Sequence, residues 1–139
     1  DFERYRLSVD EIVRMYVDLF HRLWEVRPSL KIILTVSPVR HWKDGAHGNQ
    51  LSKAILLLAV ERLCEQFKDI CYFPAYELVM DELRDYRFYA EDMCHPSAQA
   101  VEYIRERFLN WALPAQEHST LEANIKRFKQ SCHRSLSTF

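Results

Sequence analysis

The stretch Leu30-Lys31-Ile32-Ile33-Leu34-Thr35-Val36 decides the fold of this chain. The run is short, almost entirely apolar and rich in β-branched residues, which is typical of a strand buried on both faces of a parallel sheet. Ser37-Pro38 ends the run, because proline cannot donate to the hydrogen-bond ladder of a sheet. A second apolar run, Ile70 to Phe73, is ended in the same way by Pro74. We therefore predict two short strands.

Segments with helical spacing precede and join the two predicted strands. Apolar residues recur at intervals of three and four from Leu51 to Phe67 and predict an amphipathic helix between the strands. Strand, helix and strand in this order form a βαβ unit with parallel strands. Ser8 and Glu11 have the spacing of a capping box and predict a helix that ends before Pro28. The segment from Val39 to Asn49 holds both glycines of the chain and is predicted to be a mobile polar loop.

The remainder of the chain is predicted to be largely helical. Ala75 to Arg84 favours a short helix, and Pro96 suits the first turn of a longer helix that Pro114 closes. We divide the chain into residues 1–113, part of an α/β domain, and residues 114–139, an amphipathic helical extension. Two strands are fewer than the roughly four to six that open sheets usually contain. We therefore expect further strands, supplied by an N-terminal half of the domain or by a partner chain.

Composition excludes several classes of protein. The chain has 139 residues and a formal net charge of -1, which gives no large electrostatic field for nucleic acid. No apolar run approaches the ~20 residues of a membrane span. The four cysteines have neither zinc-ligand spacing nor a Cys-x-x-Cys pair, so we expect no metal and no other cofactor, and scattered thiols favour a reducing compartment such as the cytoplasm. The basic residues near the C-terminus are interpreted as the solvated face of a helix: Lys126, Arg127, Lys129 and Arg134.

The candidate chemistry lies in Asp92-Met93-Cys94-His95-Pro96-Ser97. An aspartate and a histidine three positions apart can let the carboxylate hold one imidazole nitrogen while the other nitrogen faces a substrate. The spacing therefore predicts a catalytic pair in which His95 is a general base and Asp92 orients it. The structural alternative is that Asp92 caps a turn and His95 fills it.

The sequence around this pair resembles the GSCFA domain family in the order and spacing of five segments: Thr35 to Val39, Asn49 to Ala54, Tyr72 to Glu77, Asp81 to Tyr89 and Asp92 to Ser97. That family looks like a branch of the SGNH, or GDSL-type, hydrolases. The resemblance implies a three-layer α/β fold with a doubly wound parallel sheet and cleavage of a small ester or an acylated carbohydrate. It also implies that His95 is the base and Asp92 the orienting acid of a Ser-His-Asp site. The family's Gly-Ser-Cys-Phe-Ala serine is expected upstream of this chain.

Other residues are candidates for contact with substrate. Ser37 follows the first strand, so a Ser37-His95-Asp92 arrangement is sterically conceivable, although a turn serine or pocket wall is the simpler interpretation. Tyr89 and Arg87 are candidate substrate-binding residues, and they could equally pack beneath the loop or form ion pairs that hold it. The alternative function is a noncatalytic binding or interaction module that retains the hydrolase scaffold.

Overall fold

The computed structural model of the protein describes residues 5–134, with side chains for residues 5–131. The elements in chain order are α1 (Val9–Val26), β1 (Ile32–Leu34), α2 (Gly45–Gln66), β2 (Ile70–Tyr72), α3 (Ala75–Glu77), α4 (Ala98–Ala112) and α5 (Ala115–Arg134). Trp42–Asp44 and Tyr86–Phe88 form single 3-10 turns, and Leu78–Glu82 continues α3 as a π-helical turn. No helix within residues 5–134 is long and apolar enough to cross a membrane.

The first helix begins where its capping residues predict. Ser8 Oγ accepts a hydrogen bond from the Glu11 backbone N–H at 3.3 Å, and the Glu11 carboxylate accepts from the Ser8 backbone N–H at 2.8 Å. These reciprocal bonds satisfy donors that a helix N-terminus otherwise leaves unpaired. The helix ends at Val26, two residues before Pro28, which confirms the predicted helix.

The two predicted strands pair in parallel, with Ile32 opposite Ile70 and Leu34 opposite Tyr72. One face of this strand pair packs against helices α1 and α2. The buried residues of these helices at this contact are Phe20 on α1 and Leu63 on α2. The side chains of Ile33 and Cys71 alternate to the opposite face, where both are exposed. The sheet therefore has helices packed on one face among the described residues.

The expectation of a three-layer, doubly wound α/β sheet is wrong for this chain. The described residues are mostly helical, at 68%, and the sheet that they form has two strands. Each strand has three residues, since Ser37-Pro38 and Pro74 follow closely, and most other apolar residues recur at helical rather than alternating spacing. A doubly wound sheet needs several strands covered on both faces, and the described residues supply neither.

Two predicted boundaries are also corrected. Helix α2 begins at Gly45 rather than near Leu51, so much of the predicted polar loop is helical. Glycine at position 48 permits this, because a Cβ there would lie 2.8 Å from the Asp44 Cβ. Helix α4 begins at Ala98, after Ser97, whose Oγ accepts from the Ala100 backbone N–H at 3.3 Å. Pro96 therefore precedes the helix.

The chain divides into two compact units. The first runs to Val101 and contains the sheet, α1 to α3 and the Asp-His loop. The second begins at Glu102 and contains the rest of α4 and helix α5. In the second unit, Lys126, Arg127 and Lys129 are exposed, as expected for a solvated helix face, whereas the Arg134 side chain lies outside the described residues. The functional division into 1–113 and 114–139 stays a prediction.

Candidate functional site

The Asp-His sequence forms the tip of a short hairpin. The Ala90 backbone N–H donates to the His95 carbonyl at 2.8 Å, and the Ser97 N–H donates to the Phe88 carbonyl at the same distance. A turn within the tip is closed by the Met93 N–H, which donates to the Ala90 carbonyl at 3.0 Å. Met93 has a φ of 58°, in the left-handed region that a side chain rarely adopts. The hairpin thus bends the chain sharply enough to turn residue 95 back toward residue 92.

Within this tip, the Asp92 carboxylate holds both the backbone and the ring of His95. Its Oδ2 lies 2.5 Å from His95 Nδ1. Its Oδ1 accepts from the backbone N–H groups of Cys94 at 2.9 Å and His95 at 3.0 Å. The side chains remain accessible, at 50% exposed for Asp92 and 61% for His95. The second ring nitrogen, Nε2, has no hydrogen-bond partner among the described residues and is open to an incoming group.

These bonds favour the ionised carboxylate of Asp92. The backbone N–H of His95, then that of Cys94, then the His95 ring lower the Asp92 pKa to about 2. An ionised carboxylate accepts a hydrogen bond from a protonated Nδ1, so in the neutral imidazole Nε2 carries the lone pair. That tautomer is the one a general base needs.

The hairpin is tied to the segment that follows β1. The Arg40 backbone N–H donates to the Cys94 carbonyl at 3.1 Å. The Arg40 guanidinium also lies 4.3 Å above the Tyr89 ring, and its Nη2 donates to the Tyr89 hydroxyl at 3.0 Å. These contacts hold the Asp-His tip beside the carboxyl end of the sheet.

The other predicted site residues are placed separately. Ser37 Oγ accepts from the Val39 backbone N–H at 3.2 Å, and no hydrogen bond joins Ser37 to His95 among the described residues. Tyr89 contacts Arg40 as described above. Arg87 is exposed, stacks 4.9 Å above the Phe88 ring and lies 3.7 Å from the Asp85 carboxylate. Asp92 and His95 contact each other, and neither Ser37 nor Arg87 forms a hydrogen bond or ion pair with them among the described residues.

A second Asp-His pair was not predicted from the sequence. His41 Nδ1 lies 3.1 Å from Asp44 Oδ2, again three positions apart, on the turn that leads into α2. His41 and Asp44 also lie three positions apart in the sequence, but the glycines at 45 and 48 favour a mobile loop in a prediction from sequence. Among the side chains of residues 5–131, no group of three or more His, Cys, Asp or Glu residues could hold a metal ion.

A pocket of about 230 Å³ opens at the carboxyl end of the sheet, beside the segment that holds the hairpin. Its lining comes from the segment after β1, from the first turns of α2 and from the helical segment after β2: Pro38, Arg40, Trp42, Ala46, Asn49, Gln50, Tyr76 and Met80. This edge lies beyond the carboxyl ends of parallel strands, which is where open α/β sheets bind ligands. The sequence predicted both strands that form it. It did not identify Arg40, Trp42 or Asn49, because the early start of α2 was missed.

Fold and site together define a mostly helical protein with a small parallel sheet and an exposed Asp-His pair on a hairpin. The chain belongs to the GSCFA family, which it matches over residues 1–108. The match confirms the resemblance inferred from the five segments. No curated protein and no solved structure matches the chain.

Proposed function

We propose that this chain supplies the base of a serine ester hydrolase of the SGNH type. His95 is the general base and Asp92 orients it, while the nucleophilic serine comes from a segment upstream of residue 1. The observation that supports this proposal best is the 2.5 Å contact between Asp92 Oδ2 and His95 Nδ1, which leaves Nε2 open. Membership of the GSCFA family is compatible with the proposal.

The proposed reaction is a two-step acyl transfer to water. The serine oxygen attacks the ester carbonyl carbon while His95 Nε2 takes its proton. The bond to the leaving alcohol then breaks, and His95 returns the proton to the alcohol oxygen. Water, deprotonated by the same nitrogen, attacks the acyl carbon of the acyl-serine. The bond from that carbon to the serine oxygen breaks, His95 returns the proton to the serine oxygen, and the acid is released. Asp92 stays ionised throughout and stabilises the imidazolium, and the oxyanion donors lie outside this segment.

The substrate class is proposed as a small ester or an acylated carbohydrate. The expected partner of the chain is the N-terminal half of the same domain, which would carry the serine. The isolated 139-residue chain should therefore not hydrolyse acetyl or short acyl test esters. Ester hydrolysis by the isolated chain that disappears in Ser37→Ala would instead place the nucleophile at Ser37.

Asp92→Asn tests the orienting role in protein that includes the upstream serine. An asparagine keeps an oxygen for the two backbone N–H groups but presents an N–H donor to the ring, which forces the proton onto Nε2. We expect kcat/KM for p-nitrophenyl acetate to fall by a factor on the order of 10³ to 10⁴. Asp44→Asn, which disrupts the other Asp-His pair, is the matched control and should leave kcat/KM unchanged. Equal losses in both variants would remove Asp92 from its proposed role.

The alternative is a noncatalytic binding module. It is favoured by the placement of Ser37, which bonds within its own turn, and by the pocket, which can bind a ligand without any nucleophile. This alternative would be supported by an upstream segment in which no serine forms an acyl-enzyme.

A further inference from the structure

The pocket beside the sheet contains the guanidinium of Arg40, which aromatic rings hold in place but no carboxylate neutralises. The Arg40 guanidinium lies 4.3 Å from the centre of the Tyr89 ring and 5.7 Å from the centre of the Trp42 ring. These rings and the Tyr89 hydroxyl orient the guanidinium plane without supplying a negative charge. Among the described residues, Arg40 forms no ion pair with a carboxylate. Its remaining N–H donors are left for a ligand.

A second positive charge lies next to the pocket. Lys53 is only 8% exposed, and its Nζ donates to the Ser37 carbonyl at 2.5 Å and lies 5.9 Å from the Tyr76 ring. Burial lowers the Lys53 pKa, because desolvation penalises the charged form. No carboxylate pairs with Lys53 among the described residues. Two cationic side chains, Arg40 and Lys53, therefore lie at or beside the pocket, and the Glu77 and Asp81 carboxylates lie within electrostatic range of its Tyr76 wall.

The walls indicate what kind of anion fits. The Asn49 side chain is buried and lines the pocket, and its Oδ1 accepts from the His41 backbone N–H at 2.9 Å, which leaves its Nδ2 as an available donor. Trp42 and Tyr76 provide aromatic surface. At about 230 Å³, the space is below the ~300–1,000 Å³ usual for drug-sized ligands. It suits one ring and a charged substituent rather than an extended molecule.

We propose that this pocket binds a carboxylate carried on a six-membered ring, with the carboxylate on Arg40 and the ring against Trp42 and Tyr76. A planar guanidinium pairs with a carboxylate through two parallel N–H···O bonds. Both an aromatic acid and a sugar acid present this chemistry. The binding does not depend on the proposed hydrolysis, because neither His95 nor a serine takes part in it.

The test is direct binding to the 139-residue chain by calorimetry, with benzoate and glucuronate as charged rings and benzamide and glucose as their neutral counterparts. At least one charged ring should bind about tenfold or more tightly than its neutral counterpart, in keeping with the strength of charged hydrogen bonds. If benzoate binds, the ligand is an aromatic acid, and if glucuronate binds, it is a sugar acid. Equal binding of charged and neutral rings, or of inorganic phosphate and the charged rings, would overturn the proposal.

Variants locate the binding. Arg40→Met should lower the affinity for the charged ring by about tenfold or more. Arg40→Lys keeps the charge but not the planar guanidinium, so it should lower that affinity by less. Arg87→Met is the matched control, since Arg87 also stacks on an aromatic ring but does not line the pocket. Trp42→Ala, at an exposed position, provides a second variant in case Arg40→Met does not fold, and it should weaken binding several-fold. An equal loss in Arg87→Met, or unchanged binding in Arg40→Met and Trp42→Ala, would contradict the assignment.

Discussion

At the scale of single residues, the site depends on one carboxylate that accepts three hydrogen bonds. Asp92 Oδ1 fixes the backbone of the hairpin tip, and Oδ2 holds the ring of His95. The same side chain therefore acts as a turn cap and as an orienting group, and the two interpretations offered by the sequence are compatible. The spacing of Asp92 and His95 was sufficient to predict their pairing. The left-handed conformation of Met93 was not predictable, because a methionine rarely adopts it.

The titration of Asp92 tests these hydrogen bonds. We expect a carboxyl ¹³C chemical-shift midpoint of about 2, against an ordinary value of 3.8. Because the folded-state pKa is lowered, the stabilisation by Asp92 is complete above pH ~4 and is lost as the pH falls toward 2. His95→Ala keeps both backbone N–H donors, so its midpoint should rise only part of the way. A wild-type midpoint near 3.8 would show that these bonds do not form in solution.

At the scale of secondary-structure elements, α1 and the hairpin show how local chemistry sets the boundaries. The capping box predicted the start of α1 correctly because its signal is contained in four adjacent residues. The start of α2 was not predicted, since glycine favours loops in general and is needed here for close approach to Asp44. The hairpin depends on backbone pairing between Phe88 and Ser97, which no side-chain pattern reports.

Ser8→Ala tests the cap of α1. Loss of the hydroxyl acceptor should destabilise the protein by about 1 kcal/mol, within the usual range for N-cap serines. Urea unfolding followed by circular dichroism measures the change. Ser29→Ala, in the exposed turn after α1, is the control and should change the free energy of unfolding by less than about 0.5 kcal/mol. Indistinguishable effects would mean that the capping box contributes no stability.

The left-handed residue of the hairpin is tested by comparing Met93→Gly with Met93→Ala. Both substitutions remove the half-buried side chain, but only glycine adopts a φ of 58° without steric cost. The glycine variant should be more stable than the alanine variant by about 1 kcal/mol in thermal or urea unfolding. A more stable alanine variant would place Met93 outside the left-handed region.

At the scale of the whole molecule, two short strands and two helices contribute the main apolar cluster of the first unit. The sequence predicted the parallel βαβ unit correctly, because a proline follows closely after each strand and apolar residues between the strands recur at helical spacing. The three-layer, doubly wound sheet that the resemblance implied was wrong, because the described residues are mostly helical and contain a sheet of two strands. The sequence did not predict which residues line the pocket together, because they come from three segments that are far apart in sequence. Contacts of this kind are set by packing.

Leu63→Ala tests the core. Leu63 lies on α2, is 1% exposed and contacts the cluster that includes Phe20 and Ile70. The substitution should cost about 2–5 kcal/mol of unfolding free energy, because it leaves a cavity. Leu58→Ala is the same change on the same helix at a residue that is 58% exposed, and it should cost less than about 1 kcal/mol. Comparable losses would show that the core is not centred on Leu63.

The central claim is that His95 is the base of an acyl-transfer site. Its most direct test is the pre-steady-state burst of p-nitrophenol from p-nitrophenyl acetate, in protein that includes the proposed upstream serine. Wild type and His41→Ala, the control from the other Asp-His pair, should show an equal burst, and His95→Ala should show none. A burst of unchanged rate and amplitude in His95→Ala would contradict the account.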